Sequence, residues 1–261
     1  MNDIANCNIV VYTVITGEYD EINELDFKHD KIKYVCFTNS KKLKSNTWNI
    51  VYINEDLDNH MLNRKIKLFP YKYLTDVDFS LYVDGNIIIK KDLKGFFEKY
   101  VSPELNIGLP RHMDRDCLYQ ESITCINQNK DNPDTIKEQM EHYHREGYPE
   151  KFGLYENNII LRNHHSKITQ KLMEHWWRKI NNWSKRDQLS FCYCLWKEKV
   201  KALTLDESSR ISNPYFSIAL HKAYREQRFI KRAIIKIDMN KHKNFLYKVA
   251  NFILSTLRKL K

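Results

Sequence analysis

Phe79-Ser80-Leu81-Tyr82-Val83-Asp84-Gly85-Asn86-Ile87-Ile88-Ile89 is the stretch whose reading decides the fold. Its first five residues, apolar but for one serine, read as a buried strand. Asp84-Gly85-Asn86 then admits two readings. Asp-Gly between apolar runs is the common signature of a tight hairpin turn. Alternatively, an apolar strand delivers Asp84 and Asn86, two residues apart, so that their oxygens point at one spot. A hard cation such as Mg²⁺ or Mn²⁺ takes such oxygen ligands and leaves positions open for phosphate oxygens.

Working outward, strand-like and helix-like runs alternate. Asn8–Thr16 is rich in β-branched residues and ends at Gly17; Lys33–Phe37 and Trp48–Ile53 are further strand candidates. Leu62, Ile66 and Phe69 share one face of a helix expected over His60–Tyr73. Leu105–Pro110 is a possible fifth strand, and Asn157–Arg162 a short one in the second half. Helices are expected at Pro133–Glu146 and Ser166–Asn182. Another is expected from Ser184, its N-cap, through Trp196, with Asp187 at the third helical position of a capping-box-like start. The alternation predicts one α/β domain with a mostly parallel sheet covered on both faces. Open sheets of that kind bind ligands at the carboxyl ends of their strands. Gly17–Asp20, Thr38–Ser40 and Asp84–Asn86 therefore carry the most weight.

Other candidates surround these. Tyr19 could stack on a base and Asp20 accept a hydrogen bond, unless they belong to a plain surface turn. Arg64 and Lys67, one helical turn apart, could bind a diphosphate or merely form a solvated helix face. His112 and Arg115, with Glu121 close behind, form either an acceptor-binding wall or a solvated loop. In Arg186-Asp187, the carboxylate could act as a general base on an acceptor hydroxyl or cap the helix. His221 could return to the cation as a further ligand or be a lone histidine.

Composition narrows the classes. Apolar residues make up 42% of the 261, enough for a sizeable core. No Walker loop, G-x-S-x-G elbow, H-E-x-x-H or G-x-G-x-x-G is present, which counts against P-loop enzymes, serine hydrolases and ordinary dehydrogenases. The six cysteines lack a CxxC spacing, and Met1–Asn8 is polar, so a cytosolic protein with reduced thiols is expected. The net charge is +10, yet Phe229–Lys261 holds nine Lys or Arg against one Asp and so carries +8 of it. The reading is a domain over 1–228 and a basic tail over 229–261. Nucleic acid is not an expected partner, since its enzymes spread basic residues over a folded face. Asn244–Lys261 has apolar residues on one side and two polar interruptions, Lys248 and Asn251. It reads as a basic amphipathic helix on an anionic membrane surface, or as a terminal helix packed on the domain.

Several pieces, taken in order, resemble a known family. They are YTVITGEYDEI (12–22), CFTNS (36–40), Trp48, RKIKLFPYKYL from Arg64, SLYVDGNIII from Ser80, RHMDRDCLYQE to Glu121, GLYENNIILRNH from Gly153 and WW…RDQLSFCY to Tyr193. The family is a glycosyltransferase-like group that includes plant proteins of mucilage pectin and pollen turgor and bacterial polysaccharide enzymes, among them O-antigen galactofuranosyltransferases. The resemblance spans about residues 9 to 196 and leaves the tail outside. It implies a GT-A-like, Rossmann-like nucleotide-sugar fold. Asp84 and Asn86 fall at the acidic metal motif, here Asp-Gly-Asn instead of two aspartates. Thr16, Tyr19, Asp20 and Thr38 fall near the nucleoside, Arg64, Lys67 and Asp84 near the diphosphate. His112, Arg115, Glu121 and Arg186 become acceptor or sugar contacts, and His221 a loose match to a late histidine.

The function expected on this basis is sugar transfer from a nucleotide-diphosphate donor, with Mn²⁺ or Mg²⁺ as cofactor. The donor would be a UDP-sugar, UDP-galactofuranose among the candidates. The acceptor would be a lipid-linked cell-surface glycan such as O-antigen or capsule. Asp187 would act as base in an inverting reaction, at the cytoplasmic face of the membrane. The alternatives are a ceramide-type lipid amidohydrolase, an activity ascribed to a plant member, and a non-catalytic membrane or nucleic-acid binder.

Overall fold

The computed structural model describes residues 4, 6–27 and 31–259, so the first three residues and the last two of the basic tail lie outside the described residues. In chain order the elements are β1 (Ile9–Ile15), β2 (Ile32–Thr38), β3 (Asn49–Tyr52), α1 (Asn59–Leu68), β4 (Phe79–Val83), β5 (Ile87–Ile89), α2 (Lys94–Tyr100) and β6 (Ile107–Pro110). There follow α3 (Leu118–Asn127), α4 (Pro133–Arg145), β7 (Ile159–Asn163), α5 (Lys167–Asn182), α6 (Gln188–Lys197), β8 (Leu203–Leu205), β9 (Phe216–Ile218), α7 (Lys222–Arg225), α8 (Phe229–Asn240) and α9 (Phe245–Lys259).

Seven strands form one sheet in the order β3-β2-β1-β4-β7-β6-β8. The pairings β1–β2, β1–β4, β2–β3 and β6–β8 are parallel. The sheet is mostly parallel, as expected, with one exception: β7 runs antiparallel to both β4 and β6. Because side chains alternate across a strand, the wholly buried β1 feeds two cores. Val10, Tyr12 and Val14 join residues of α1 and α3 to α6 on one face; Ile9, Val11 and Ile15 join Phe96 and Phe97 of α2 on the other. Such continuous apolar runs are what a strand covered on both faces requires.

The helix starts follow local chemistry. Asp58 caps α1 by accepting from the Met61 amide at 2.9 Å, and Ser166 caps α5 through Thr169. The expected cap at Ser184 is not there. The helix begins at Gln188 with Asp187 as N-cap residue, and the Asp187 side chain makes no cap hydrogen bond. Ser184 Oγ instead donates to Asp131 and accepts from the Arg186 amide. A buried cation, described below, holds the Asp187 carboxylate away from the helix end.

Asp84-Gly85-Asn86 is not a hairpin turn. The chain does turn there, with the Ile87 amide bonded to the Asp84 carbonyl at 2.8 Å. The strand that follows then leaves the main sheet: β5 pairs antiparallel with β9, not with β4.

Candidate functional site

The small β5–β9 sheet explains how the site is assembled. Ile87 lies opposite Ile218, and beyond that pair the Ala219 amide bonds to the Asn86 carbonyl at 2.8 Å. Asn86 Nδ2 donates to the Ala219 carbonyl at 3.2 Å. This ladder brings His221, two residues further on, beside a motif far earlier in the chain. His221 Nδ1 lies 2.5 Å from Asp20 Oδ2, while Asp20 Oδ1 accepts from the Lys222 amide at 2.9 Å. A carboxylate on one ring nitrogen fixes the imidazole and leaves Nε2 available, an arrangement common behind metal-bound histidines. Asp20 is buried, holds the His221 segment with both oxygens and, unlike the direct nucleoside contact expected, is not among the residues that line the cleft.

Asp84, Asn86 and His221 line one cleft of about 660 Å³ at the carboxyl ends of β1 and β4. Asp84 Oδ1 accepts from Tyr82 Oη at 2.6 Å, and its other oxygen has no hydrogen bond among the described residues. Asn86, with its amide nitrogen held by Ala219, keeps its amide oxygen for the cleft. Two oxygens and one imidazole nitrogen suit a hard divalent cation that completes its shell with phosphate oxygens and water. Among the described residues no three His, Cys, Asp or Glu side chains converge as a ready-made metal cage. The donor set therefore fits a cation shared with a substrate better than a permanently caged one.

Beside Asp84 sits a buried charge cluster. Lys67 is 1% exposed; its Nζ lies 2.7 Å from Asp187 Oδ2, 3.5 Å from Asp84 Oδ1 and 4.7 Å from the centre of the Tyr82 ring. Arg64 approaches the other Asp187 oxygen at 3.6 Å. Lys67 lines the cleft, but its ammonium is already engaged inside the protein. It is an internal counter-ion joining two carboxylates, while Arg64, less deeply buried, is left as the candidate diphosphate contact. Burial alone would raise the Asp187 carboxyl, but the charges of Arg64, Lys67 and Arg186 outweigh it and hold the group well below the usual carboxylate range. A carboxylate so stabilised is a weak base, which is a physical reason against the base role expected of Asp187.

At the nucleoside end, Tyr19 is 62% exposed and its ring centre lies 5.1 Å from that of His221. It lines the cleft with one face open, as a stacking platform requires. Thr16 and Thr38 do not line it. Thr16 Oγ1 donates to the Asn59 carbonyl at 2.7 Å, and Thr38 Oγ1 accepts from the Ser40 amide. Their hydroxyls hold the loops in place. Gly17, at φ +61°, accepts the bend between them; a Cβ there would fall 2.4 Å from Asn59 Nδ2.

The same cleft is lined by the expected His112, Arg115, Glu121 and Arg186. Arg115 Nε donates to Glu121 Oε2, and His112 Nδ1 accepts from the Asp114 and Arg115 amides. Burial and the charges of Arg115 and Arg210 pull the His112 imidazole down to about 4, so it is neutral at pH 7.

With this geometry in place, comparison with known proteins decides the family. The model of the TOD1/MUCI70, glycosyltransferase-like domain matches residues 1–210. The chain belongs to this family. No curated protein matches it. The TOD1/MUCI70 match takes in Asp84, Asn86, Arg64, Lys67 and Asp187; His221 and all of α8 lie beyond it.

Within the TOD1/MUCI70 part, the cleft also holds Gln188, next to the expected Arg186 and Asp187, and Glu156, Asn157, Asn158 and Arg210, none of which four sequence reasoning had singled out. Arg210 Nε lies 2.7 Å from Glu156 Oε1, and Ser208 Oγ donates to Glu156 Oε2 at 3.0 Å. Burial raises the Glu156 carboxyl above its ordinary value against the pull of Arg210. Asn157 is 5% exposed, and among the described residues neither its amide nitrogen nor its amide oxygen has a hydrogen-bond partner. A buried amide left open on both atoms is costly unless something fills it. Beyond the family match, Ile234, Ile235, Asp238 and Met239 of α8 close one side of the cleft.

Proposed function

We propose that the cleft transfers a sugar from a nucleotide-diphosphate donor to a hydroxyl of a glycan acceptor, in a GT-A-like manner. The observation that carries this reading is the β5–β9 ladder, which sets His221, carried by Asp20, in the same cleft as Asp84 and Asn86. Membership of a glycosyltransferase-like family supports it.

In this reading Asp84, the Asn86 amide oxygen and His221 would hold Mn²⁺ or Mg²⁺, which would offset the charge on a departing nucleoside diphosphate. Arg64 contributes a second cation for the diphosphate. Tyr19 stacks on the base, uridine being our choice. Asn157 offers one donor and one acceptor to sugar hydroxyls. His112, Arg115, Glu121 and Arg186 form the acceptor wall. Asp187 keeps Lys67 in place between two carboxylates and does not take the acceptor proton, so inversion is not part of the proposal. A galactofuranosyl donor and an O-antigen or capsule acceptor remain one specific form of the proposal.

The test is thermal unfolding with UDP-, GDP-, CMP- and dTDP-sugars, with and without Mn²⁺. A ligand at about a hundred times its Kd should add about 2.7 kcal/mol, several degrees in Tm. One nucleotide class should stabilise, more strongly with Mn²⁺, and the Mn²⁺ increment should vanish in Asp84→Ala and in His221→Ala. No shift with any nucleotide sugar, or ceramide cleavage that needs none of them, would overturn the reading.

A further inference from the structure

We propose that α9 docks on an anionic membrane surface and that α8 thereby sets the cleft against the bilayer. Three observations lead there. First, α8 faces the cleft on one side and packs on α9. Just after it, Lys241 Nζ and His242 Nε2 hold the two Asp114 oxygens at 3.0 and 2.7 Å, tying the turn between α8 and α9 to the acceptor wall.

Second, α9 presents an unpartnered apolar stripe. Phe245, Leu246, Val249, Phe252, Ile253 and Leu257 are exposed, the first two by more than three-quarters. At 100° per residue these six fall within one arc of the helix, whereas Tyr247, Ala250 and Leu254 on another side are half-buried. Phe229 and Ile230 at the start of α8 are equally exposed. A stripe this large is unusual on a protein that has only water around it. Among the described residues no helix is long and apolar enough to cross a membrane, so the stripe suits lying in an interface.

Third, charge selects the occupant. Arg228, which starts α8, Lys231, Arg232 and Lys236 on α8, and Lys248 on α9 are exposed. A second copy would bring the same charges face to face. Anionic headgroups complement them, at about 1 kcal/mol per Lys or Arg near the surface, while the apolar side chains enter the acyl boundary. Docking stands whether or not the cleft transfers sugar. That the acceptor arrives on a lipid carrier rests on the preceding reading.

The experiment sediments the full chain with phosphatidylcholine vesicles and with vesicles that also contain phosphatidylglycerol. Binding to the second kind only, released as salt rises, is expected. Phe252→Ser with Ile253→Ser should weaken it at least about tenfold. Lys231→Gln with Arg232→Gln should weaken it about fivefold per charge at low salt. Unchanged melting would show that both variants fold, and an unchanged shift with nucleotide sugar would keep docking separate from donor binding. The proposal is overturned if the wild type stays in the supernatant with anionic vesicles or binds both kinds equally. It is also overturned if light scattering finds a dimer that the Phe252/Ile253 variant dissociates.

Discussion

The two sides of the cleft are held by different forces. On the sheet side, Lys67, Asp187 and Asp84 meet in the interior, with the Lys67–Asp187 contact at 2.7 Å and both side chains under a tenth exposed. Charges buried together cannot separate without each facing a low dielectric alone. On the α8 side, the chain is tied through Asp114 to Lys241 and His242, all three side chains between a fifth and a third exposed. Pairs of that kind contribute at most about 1 kcal/mol. The contrast assigns fixed geometry to the wall that would hold cation and diphosphate, and freedom to open to the helix that closes it.

The most damaging change should break the sheet side. Asp187→Leu leaves the Lys67 ammonium buried with Asp84, 3.5 Å away, as its one carboxylate partner among the described residues, and with the Tyr82 ring. Urea unfolding should show a loss of about 3–5 kcal/mol, and Lys67→Met combined with Asp187→Leu should recover most of it. If the single change costs less than about 1 kcal/mol, the ion pair does not fix this wall. The pair also sets an acid limit. The Asp187 carboxyl is depressed in the folded state, so its contribution is present above the ordinary carboxylate range and is lost as pH falls below it.

Gly17→Ala should come next, at about 2 kcal/mol. The residue would keep a left-handed φ and press its Cβ against Asn59. Melting measures the loss. Because Asn59 also holds Asn39 and Thr16, the variant should bind nucleotide less well while the Lys67–Asp187 region, read by amide exchange, stays protected.

How much of this was legible in the sequence follows from strand direction. Residues after β1, β2 and β4 could be singled out because a parallel strand ends at the ligand edge, and Tyr19, Asp84 and Asn86 do lie there. Glu156, Asn157 and Asn158 were passed over because they precede β7. An antiparallel strand begins where its neighbours end, so here the residues before the strand face the cleft. The Asn157-Asn158 pair ahead of an apolar run was the available signal; what it lacked was the direction of β7. The internal pairing of Lys67 with Asp187 was not legible, because helical spacing gives the face of a helix but not what that face meets. Thr16 and Thr38 were placed correctly along the chain, yet nothing local shows that a hydroxyl bonds a neighbouring loop instead of a ligand. The Asp20–His221 pair joins positions 201 apart, beyond any pattern of spacing.

Asn157→Ala tests the sheet side at finer grain. Stability should not fall, because the amide has no hydrogen-bond partner among the described residues and its unpaired burial is itself a cost. One neutral hydrogen bond to a sugar is worth about 1 kcal/mol, so transfer should slow about fivefold. Stabilisation by the nucleoside diphosphate alone should be unchanged, and stabilisation by the nucleotide sugar reduced. Equal loss with both ligands would place Asn157 away from the sugar.

The smallest effect is expected on the other side, from Asp114→Ala. The two contacts it removes are partly exposed, and the loss should stay below about 1 kcal/mol. The informative readout is local: amide exchange in α8 should rise while β1 and β4 stay unchanged. Acid should imitate the variant. Burial would raise the Asp114 carboxyl, but His242 and Lys241 bring it down to about 2. With a folded value below the ordinary one, the tie is intact above about pH 4 and lost as pH falls toward 2. In the wild type, protection of α8 should therefore fall across that interval, and in Asp114→Ala it should already be low at neutral pH. If α8 exchanges as slowly as the central strands in both proteins, the two sides of the cleft are equally rigid, and α8 owes its position to its packing on the cleft and on α9, not to Asp114.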